Sequence, residues 1–504
     1  MLPRVPSALR TGSELKGIVG CGRLLRTGHS CGTAESDFRI GEPRTKEVSV
    51  RDYYYEAAPV SSPVRLPVAR GDVDLQVVLG PANRYELQLK IFLAIAFLPP
   101  ELSLFIGDVR LPVVRIVLMV LLIPATGRFL SRMGSSTAIL LPSDIIVMIA
   151  GAWMLAAGIA TDGLVDGAKS AGAWALDFAG AYCVVRWLLQ GRDSAVRFVR
   201  FLCWVMVVVT GLALLDPLTG TLFTHELAGQ LTGRPVAFDP ASTSFVRAGL
   251  VRAMGPIDHS ILFGSLCAWV GIIAVTTFRV SRFTILFSLF QIVGCWYSES
   301  RAALAFYILG IGLVVYDAVM RQFAWRWTLM KSFFMLYLVT VFTFSRSPVS
   351  ALLRSAGISP QAGWYRELIW GAVVPLVLGS PLFGLGLGDN DWDWRMFPGL
   401  VYGTVDALWL RDAMIFGIPG SILVFLTTIS PYWTGSIDQS LHLSAEERGL
   451  GLSLGIVAFT TILLGFTVDY WGVCWIMLGV FPAIRAHLAE AAVLRARGDD
   501  TDPP

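Results

Sequence analysis

Residues 257–277 read IDHSILFGSLCAWVGIIAVTT. Asp258 and His259 stand at the front, and no charged side chain follows from Ser260 to Thr277. A helix needs about 20 predominantly apolar residues to cross the hydrocarbon of a bilayer, and only a helix or a closed barrel keeps every backbone polar group satisfied there. Outward from this stretch the pattern repeats, at 88–106, 112–127, 141–159, 171–189, 199–215, 283–298, 302–318, 329–345, 413–430, 451–468 and 471–486. The composition agrees: of 504 residues, 55% are hydrophobic and 15% charged, with a mean hydropathy of +0.63, against roughly a quarter charged in an average soluble domain. The sequence predicts an all-α polytopic membrane protein of about twelve transmembrane helices.

Several function classes fall away at this point. A net charge of +3 with no basic block lacks the electrostatic footprint of a nucleic-acid binder. Cys183, Cys203, Cys267, Cys295 and Cys474 lie in apolar runs, where a thiol acts as a small hydrophobe. Metal-ligand spacing and a disulfide framework are both missing from the pattern. Residues 1–87 are polar and arginine-rich, with many Gly, Pro and Ser and no long apolar run. They are expected to form a poorly ordered cytosolic segment, without the apolar core of a secretory signal. The domain plan is therefore 1–87, a multi-spanning domain over 88–488, and a cytosolic tail over 489–504.

Basic residues set the orientation. With the N-terminus in the cytosol, the inside joints hold Arg128 and Arg132, then Arg192, Arg197 and Arg200, Arg279 and Arg282, Arg321, Arg326 and Lys331, Arg448, and last Arg495 and Arg497. The short outside joints hold only Arg110, Lys169 and Arg301. Both termini are predicted to be cytosolic. Two outside segments, 216–256 and 346–412, are too long to be mere connectors. The second contains the apolar stretch 364–378, which argues for helices on the outer face. Both carry arginines, Arg234, Arg247 and Arg252 in one and Arg346, Arg354, Arg366, Arg395 and Arg411 in the other. Positive charge on this side has no topological reason, and an anionic substrate explains it.

Four constellations stand at that face. Arg252 leads into Asp258 and His259; its guanidinium suits phosphate oxygens, or it snorkels to headgroups, while Asp258 and His259 also suit a helix start. Ser298-Glu299-Ser300-Arg301 is a charged turn in which Glu299 and Arg301 are placed to pair. Trp364-Tyr365-Arg366-Glu367 is followed by Gly379, Gly384, Gly386 and Gly388; no strand precedes these glycines, so a dinucleotide loop fails its context test, and a tight return between helices competes with backbone approach to a ligand. Asp406 stands before the apolar run of a later span and reads either as an N-cap or as a carboxylate with chemical work. Asp389, Asp391 and Asp393 alternate nearby, which is the usual look of solvated acids.

In this order the motifs resemble the O-antigen ligase and polymerase superfamily of bacterial envelope glycosyltransferases: Arg252…His259, Ser-x-Ser-Arg301, Arg366-x-x-x-Trp370 with Pro381-x-x-Gly384-x-Gly386, and Asp406…Gly417-x-x-Gly420. The likeness extends over roughly 88–488 and is most specific in 252–420. It implies a protein of the bacterial inner membrane with a large periplasmic loop, using a polyprenyl-diphosphate-linked glycan and working among membrane lipids and other polysaccharide-assembly proteins, with no cofactor and no metal. On that resemblance Arg252, Arg301 and Arg366 bind the diphosphate, Asp406 is the general base, and His259, Gly384 and Gly386 are secondary site residues. The ligases carry histidine where Asp406 stands, and an arginine-x15-glycine pattern of polymerases is not met from Arg366, because position 382 is leucine. The departure at Asp406 favours a polymerase-like enzyme over a ligase proper. A twelve-span transporter or flippase of lipid-linked or anionic substrates is the rival class, although transporters place charged groups near the midplane on broken helices.

Overall fold

In a computed structural model, residues 81–497 are described apart from 107–108, 134–138, 192, 234–244, 248, 346–349, 352–359, 388–404, 435–439 and 441. Arg192, Arg234, Arg346, Arg354, Gly388, Asp389, Asp391, Asp393 and Arg395 lie outside the described residues, as does the N-terminal segment up to residue 80.

The described chain is helical almost throughout. It begins with α1 (Pro81–Ala96), a hairpin of β1 (Ser103–Ile106) and β2 (Val109–Pro112), α2 (Val113–Met133), α3 (Pro142–Asp162) and α4 (Leu164–Ala175). A wide π-type turn, Leu176–Gly180, joins α4 to α5 (Ala181–Leu188). Then come α6 (Ser194–Ala213), α7 (Leu215–Thr219), α8 (Phe223–Thr232) and a second small hairpin, β3 (Val246–Arg247) with β4 (Leu250–Val251). The rest is α9 (Ser260–Thr277), α10 (Arg282–Tyr297), α11 (Arg301–Val319), α12 (Arg326–Phe344), α13 (Pro360–Gly379), α14 (Leu408–Ile429), α15 (Ala445–Leu464) and α16 (Gly472–Arg497). Among the described residues nine helices are long and apolar enough to cross a membrane, as expected of a multi-pass membrane protein. Three further predicted spans fall on α1, on the run 164–188 and on the 16-residue α10, which are not among those nine.

Local chemistry fixes many of the boundaries. The His259, Ser281 and Ser300 side chains accept backbone N–H bonds at the starts of α9, α10 and α11, and Ser444 with Glu447 forms a capping box on α15, so helix-end donors are not left bare. Buried apolar side chains from nearly every helix form one core. α9 lies at its centre, with Leu262, Phe263, Leu266, Trp269 and Ile273 all at 0% exposure, and the uncharged run of 260–277 is what allows burial on every side.

Two predicted boundaries move. The span set at 88–106 is helical only to Ala96, and the helix begins at Pro81, so the polar segment drawn at 1–87 ends too late. Glu86 had marked these residues as outside the span. It pairs with Lys90 one turn on and with Arg197 of α6, while the apolar residues after Ala96 go into the first hairpin. The tail drawn at 489–504 is helical to Arg497, with Ala489 and Ala492 buried. Glu490 ended the hydropathy signal, yet it is buried against Arg186 of α5 (2.6 Å) and Arg132 of α2 (3.3 Å). Arg186, at 0% exposure, also binds Asp144 of α3 through Nε (2.9 Å).

Short connections make successive long helices antiparallel, so the joints gather at two ends. The end with α16's C-terminus carries Arg132, Arg186 and Glu490, with Arg495–Glu447 and Arg200–Glu446. The other end collects the hairpins, α7, α8, the return after α13 and the segment 465–471. Its ties include His225 to Glu101, Arg252 to Ser298 and Leu408 N–H to Val468 O. The sequence-predicted site residues all lie at this loop-rich end.

Candidate functional site

The turn 252–259 is held from below by one carboxylate. Asp216 of α7 accepts the N–H groups of Met254 (2.9 Å) and Gly255 (2.7 Å) through one oxygen and that of Phe223 (3.1 Å) through the other. Carboxylates that accept several backbone N–H bonds are strong, oriented anchors. A second anchor is the buried pair of His225 and Glu101, 2.9 Å apart, with the other ring nitrogen of His225 at 3.2 Å from Ile257 O. Burial works against both charges, but each partner favours the charged form of the other, so the His225 pKa is raised and that of Glu101 lowered.

Arg252 is buried, and its Nε donates to the carbonyl of Ser298 (3.0 Å). Burial first, and neighbouring Arg247 next, bring its pKa down to about 10, with Glu299 opposing them. Arg247 donates to the carbonyl of Glu299 (2.7 Å), whose backbone is left-handed. Both arginines thus brace the 298–301 turn through backbone carbonyls. Among the described residues the predicted Glu299–Arg301 ion pair is absent, and Arg301 projects exposed from the first turn of α11. His259 is the N-cap of α9, accepting the Ile261 N–H at 3.1 Å. Burial, with Arg252 adding to it, brings its pKa down to about 4, so it is neutral at pH 7 and acts as a cap.

Arg366 and Asp406 feel each other's charge on the other side of this end, with no hydrogen bond or ion pair between them among the described residues. Both are partly buried. Burial lowers the Arg366 pKa, and the charge of Asp406 counters it. Asp406 is not the helix cap: the N-cap of α14 is Ala407, which makes no side-chain cap bond. The same carboxylate faces Asp469, which binds Arg411 (2.6 Å). Burial foremost brings the Asp469 pKa up to about 7, with Arg411 opposing and Asp412 and Asp406 adding to it. Arg411 also binds Asp412 (3.1 Å) and lies over the ring of Trp174 at 4.4 Å. The structure therefore places Arg366 within range of the Asp406 charge and Arg252 and Arg301 at one turn. Among the described residues no hydrogen bond or ion pair joins the two groups, so the three predicted diphosphate arginines do not form one contact set.

The glycines after α13 have a structural task. Gly384 and Gly386 hold positive φ angles of 77° and 79°, open to glycine without steric cost. They allow the return to lie against a break in α14, where Gly417 is non-helical at φ 75°. Leu385 N–H bonds Met414 O (2.7 Å), Gly386 N–H bonds Ile415 O (3.2 Å) and Ile418 N–H bonds Pro381 O (2.8 Å). A Cβ on Gly384 would strike the Ile415 carbonyl, and one on Gly386 the Asp162 carboxylate. These glycines shape the helix return.

A cavity of about 340 Å³ opens between the first hairpin, the starts of α2 and α16, and Asp258. Arg115 faces it and is bound by both oxygens of Asp177 from the π turn (2.8–3.1 Å). Burial brings the Asp258 pKa up to about 6, opposed by His225, Arg110 and Arg115, with Glu101 adding to it. Arg115, Asp177, His225 and Glu101 escaped the sequence reading, which took charges as span boundaries; ionisable residues within apolar segments were the available signal. Among the described residues no group of three or more His, Cys, Asp or Glu side chains is placed to hold a metal ion.

Neither a family model nor a curated protein matches the chain.

Proposed function

We propose that this chain is a membrane glycosyltransferase of polysaccharide assembly, polymerase-like, which takes a polyprenyl-diphosphate-linked oligosaccharide at the periplasmic face of a bacterial inner membrane. The observation that carries this reading is that Arg366 lies within range of the Asp406 charge at the loop-rich end. Such a transfer needs a fixed cation for the leaving diphosphate and a base for the acceptor. Asp406 takes the proton of an acceptor hydroxyl, and the oxygen attacks the anomeric carbon. The bond from that carbon to the diphosphate breaks, and the polyprenyl diphosphate leaves with the electron pair, its charge met by the planar guanidinium of Arg366. One displacement inverts the anomeric centre. Arg301, exposed at the same end, is the second cation open to the donor, and Arg252 supports the turn that carries it.

The rival transport reading draws on the break in α14 at Gly417, since transporters bind ions at broken helices. Here the carbonyls of Met414 and Ile415 are already taken by N–H groups of the return, which argues for the enzyme. Reconstitution of the full chain in liposomes with lipid-linked oligosaccharide from the native cell separates the classes. Glycans of increasing repeat number are the expected product. Transfer onto lipid A-core instead identifies a ligase, and movement of the lipid across the bilayer with no new glycosidic bond overturns the reading.

A further inference from the structure

The cavity beside Asp258 takes no part in the step above, yet it is built as a site. Its volume, about 340 Å³, stands at the small end of ligand pockets, room for one compact group. Arg110, Arg115, Asp177 and Asp258 are its charged lining, and their formal charges cancel. Arg115 is engaged by Asp177, which the π turn presents; such turns inside helices are frequent at functional sites. Arg110 is tied to Ser103 Oγ (3.1 Å) and to the carbonyl of Pro100. Asp258 alone has no hydrogen-bond partner among the described residues, although it lines the cavity. Beside it Trp471 and Trp174 add aromatic surface. A phosphate would meet two arginines already bound, and a cation would meet both arginines' charge. A neutral polyol fits this balance, with hydroxyls to donate to a carboxylate and C–H faces to lie on indole rings.

We infer that this cavity is a subsite for one sugar unit of the glycan, in which Asp258 accepts a hydrogen bond from a ring hydroxyl and Trp471 packs on the sugar's apolar face. The inference rests on the glycosyltransferase reading and names a place for the substrate away from Arg366 and Asp406. At pH 7 Asp258 is mostly ionised, since its pKa is about 6, and a hydroxyl bonded to a charged acceptor gains more than one bonded to a neutral acceptor.

The test uses the full chain in lipid nanodiscs. The probe is the oligosaccharide released by mild acid from the native cell's own polyprenyl-diphosphate glycans, followed by saturation-transfer NMR. Asp258→Ala and Trp471→Ala are each expected to weaken binding about tenfold or more, the range for losing a hydrogen bond to a charged group. Val114→Phe, which fills the cavity without removing a charged group, is expected to do the same with an unchanged melting temperature. Wild-type affinity in Val114→Phe overturns the inference even if the other two variants lose binding through misfolding. Wild-type affinity in all three variants, with lipid-linked glycan still elongated, overturns it and leaves the glycosyltransferase reading standing. A wild-type protein that elongates glycan without binding the probe also overturns it alone, whereas one that neither binds nor elongates overturns both.

Discussion

Asp406→Asn exchanges one carboxylate oxygen for an amide nitrogen, keeping the volume and removing the group that takes a proton. Loss of a positioned base costs about 10²–10⁴ in rate, or roughly 3–5 kcal/mol on the barrier at about 1.4 kcal/mol per tenfold. The structural cost is smaller. No helix cap is lost, because Ala407 occupies that position without a side-chain bond. The charge interaction that is lost, with Arg366, is between partly exposed groups, worth about 0.2–1 kcal/mol. Chemistry therefore exceeds that charge interaction several-fold. Elongation of lipid-linked oligosaccharide in proteoliposomes should fall at least about a hundredfold, while membrane abundance stays normal and the melting temperature moves by no more than a few degrees. An asparagine variant that elongates within about threefold of wild type, far inside that range, would refute Asp406 as the base.

Arg252→Lys should lower the melting temperature by the equivalent of about 1–3 kcal/mol, since a lysine cannot reproduce the buried Nε bond to Ser298 O, whereas exposed Arg301→Lys should change stability by less than about 0.5 kcal/mol; equal effects from the two would contradict their assigned places. The His225–Glu101 pair contributes fully between about the ordinary values of 4.5 and 6.5. The raised histidine pKa means that its contribution is lost as pH rises through the folded value, and the lowered glutamate pKa that its share is lost as pH falls through its own. Asp469, raised to about 7, also makes stability fall between its ordinary value of 3.8 and 7. Melting temperature should therefore decline from pH 6 to 8.5, with a shallower decline in His225→Gln; a rise with pH would refute the assignment. Reporter fusions at Gly167, Gly233 and Gly363 should report the periplasm and those at Gly134 and Gly435 the cytosol, and a cytosolic signal at Gly363 would put Arg366 on the wrong face.

The helices were legible where apolar residues run without interruption. The span predicted at 257–277 is the helix Ser260–Thr277, its end matched and its start three residues later, at the His259 cap. The last helix, predicted to end at 486, was cut short because His487 and Glu490 look like the end of a span when their partners are unknown. Glu490's partners come from α2 and α5, more than 300 residues earlier for Arg186, a distance over which hydropathy carries no information. The site divided along the same line. Arg366 and Asp406 could be picked out by residue type and side of the membrane, and the fold brings them near each other. Arg252 fits a phosphate ligand equally well by type, but a backbone carbonyl is its partner, and nothing in a side-chain sequence marks a carbonyl.

The Arg186 cluster has a consequence for how the protein is made. Arg186 sits at 0% exposure between Asp144 and Glu490 in the last turn of α5, where an arginine adds to the insertion cost, though by less than the roughly 2.5–3.5 kcal/mol of a helix centre on the translocon scale. Asp144 emerges from the ribosome before it and can escort it into the bilayer as an early hairpin of α3 with α5. Glu490 arrives 304 residues later, in α16. Until then Arg186 holds one of its two counter-charges, and Arg132 lacks the partner it has in the finished fold. α16 therefore completes this cluster during biogenesis, and a chain that stalls before Glu490 presents an incompletely neutralised arginine to the machinery that removes unassembled membrane proteins.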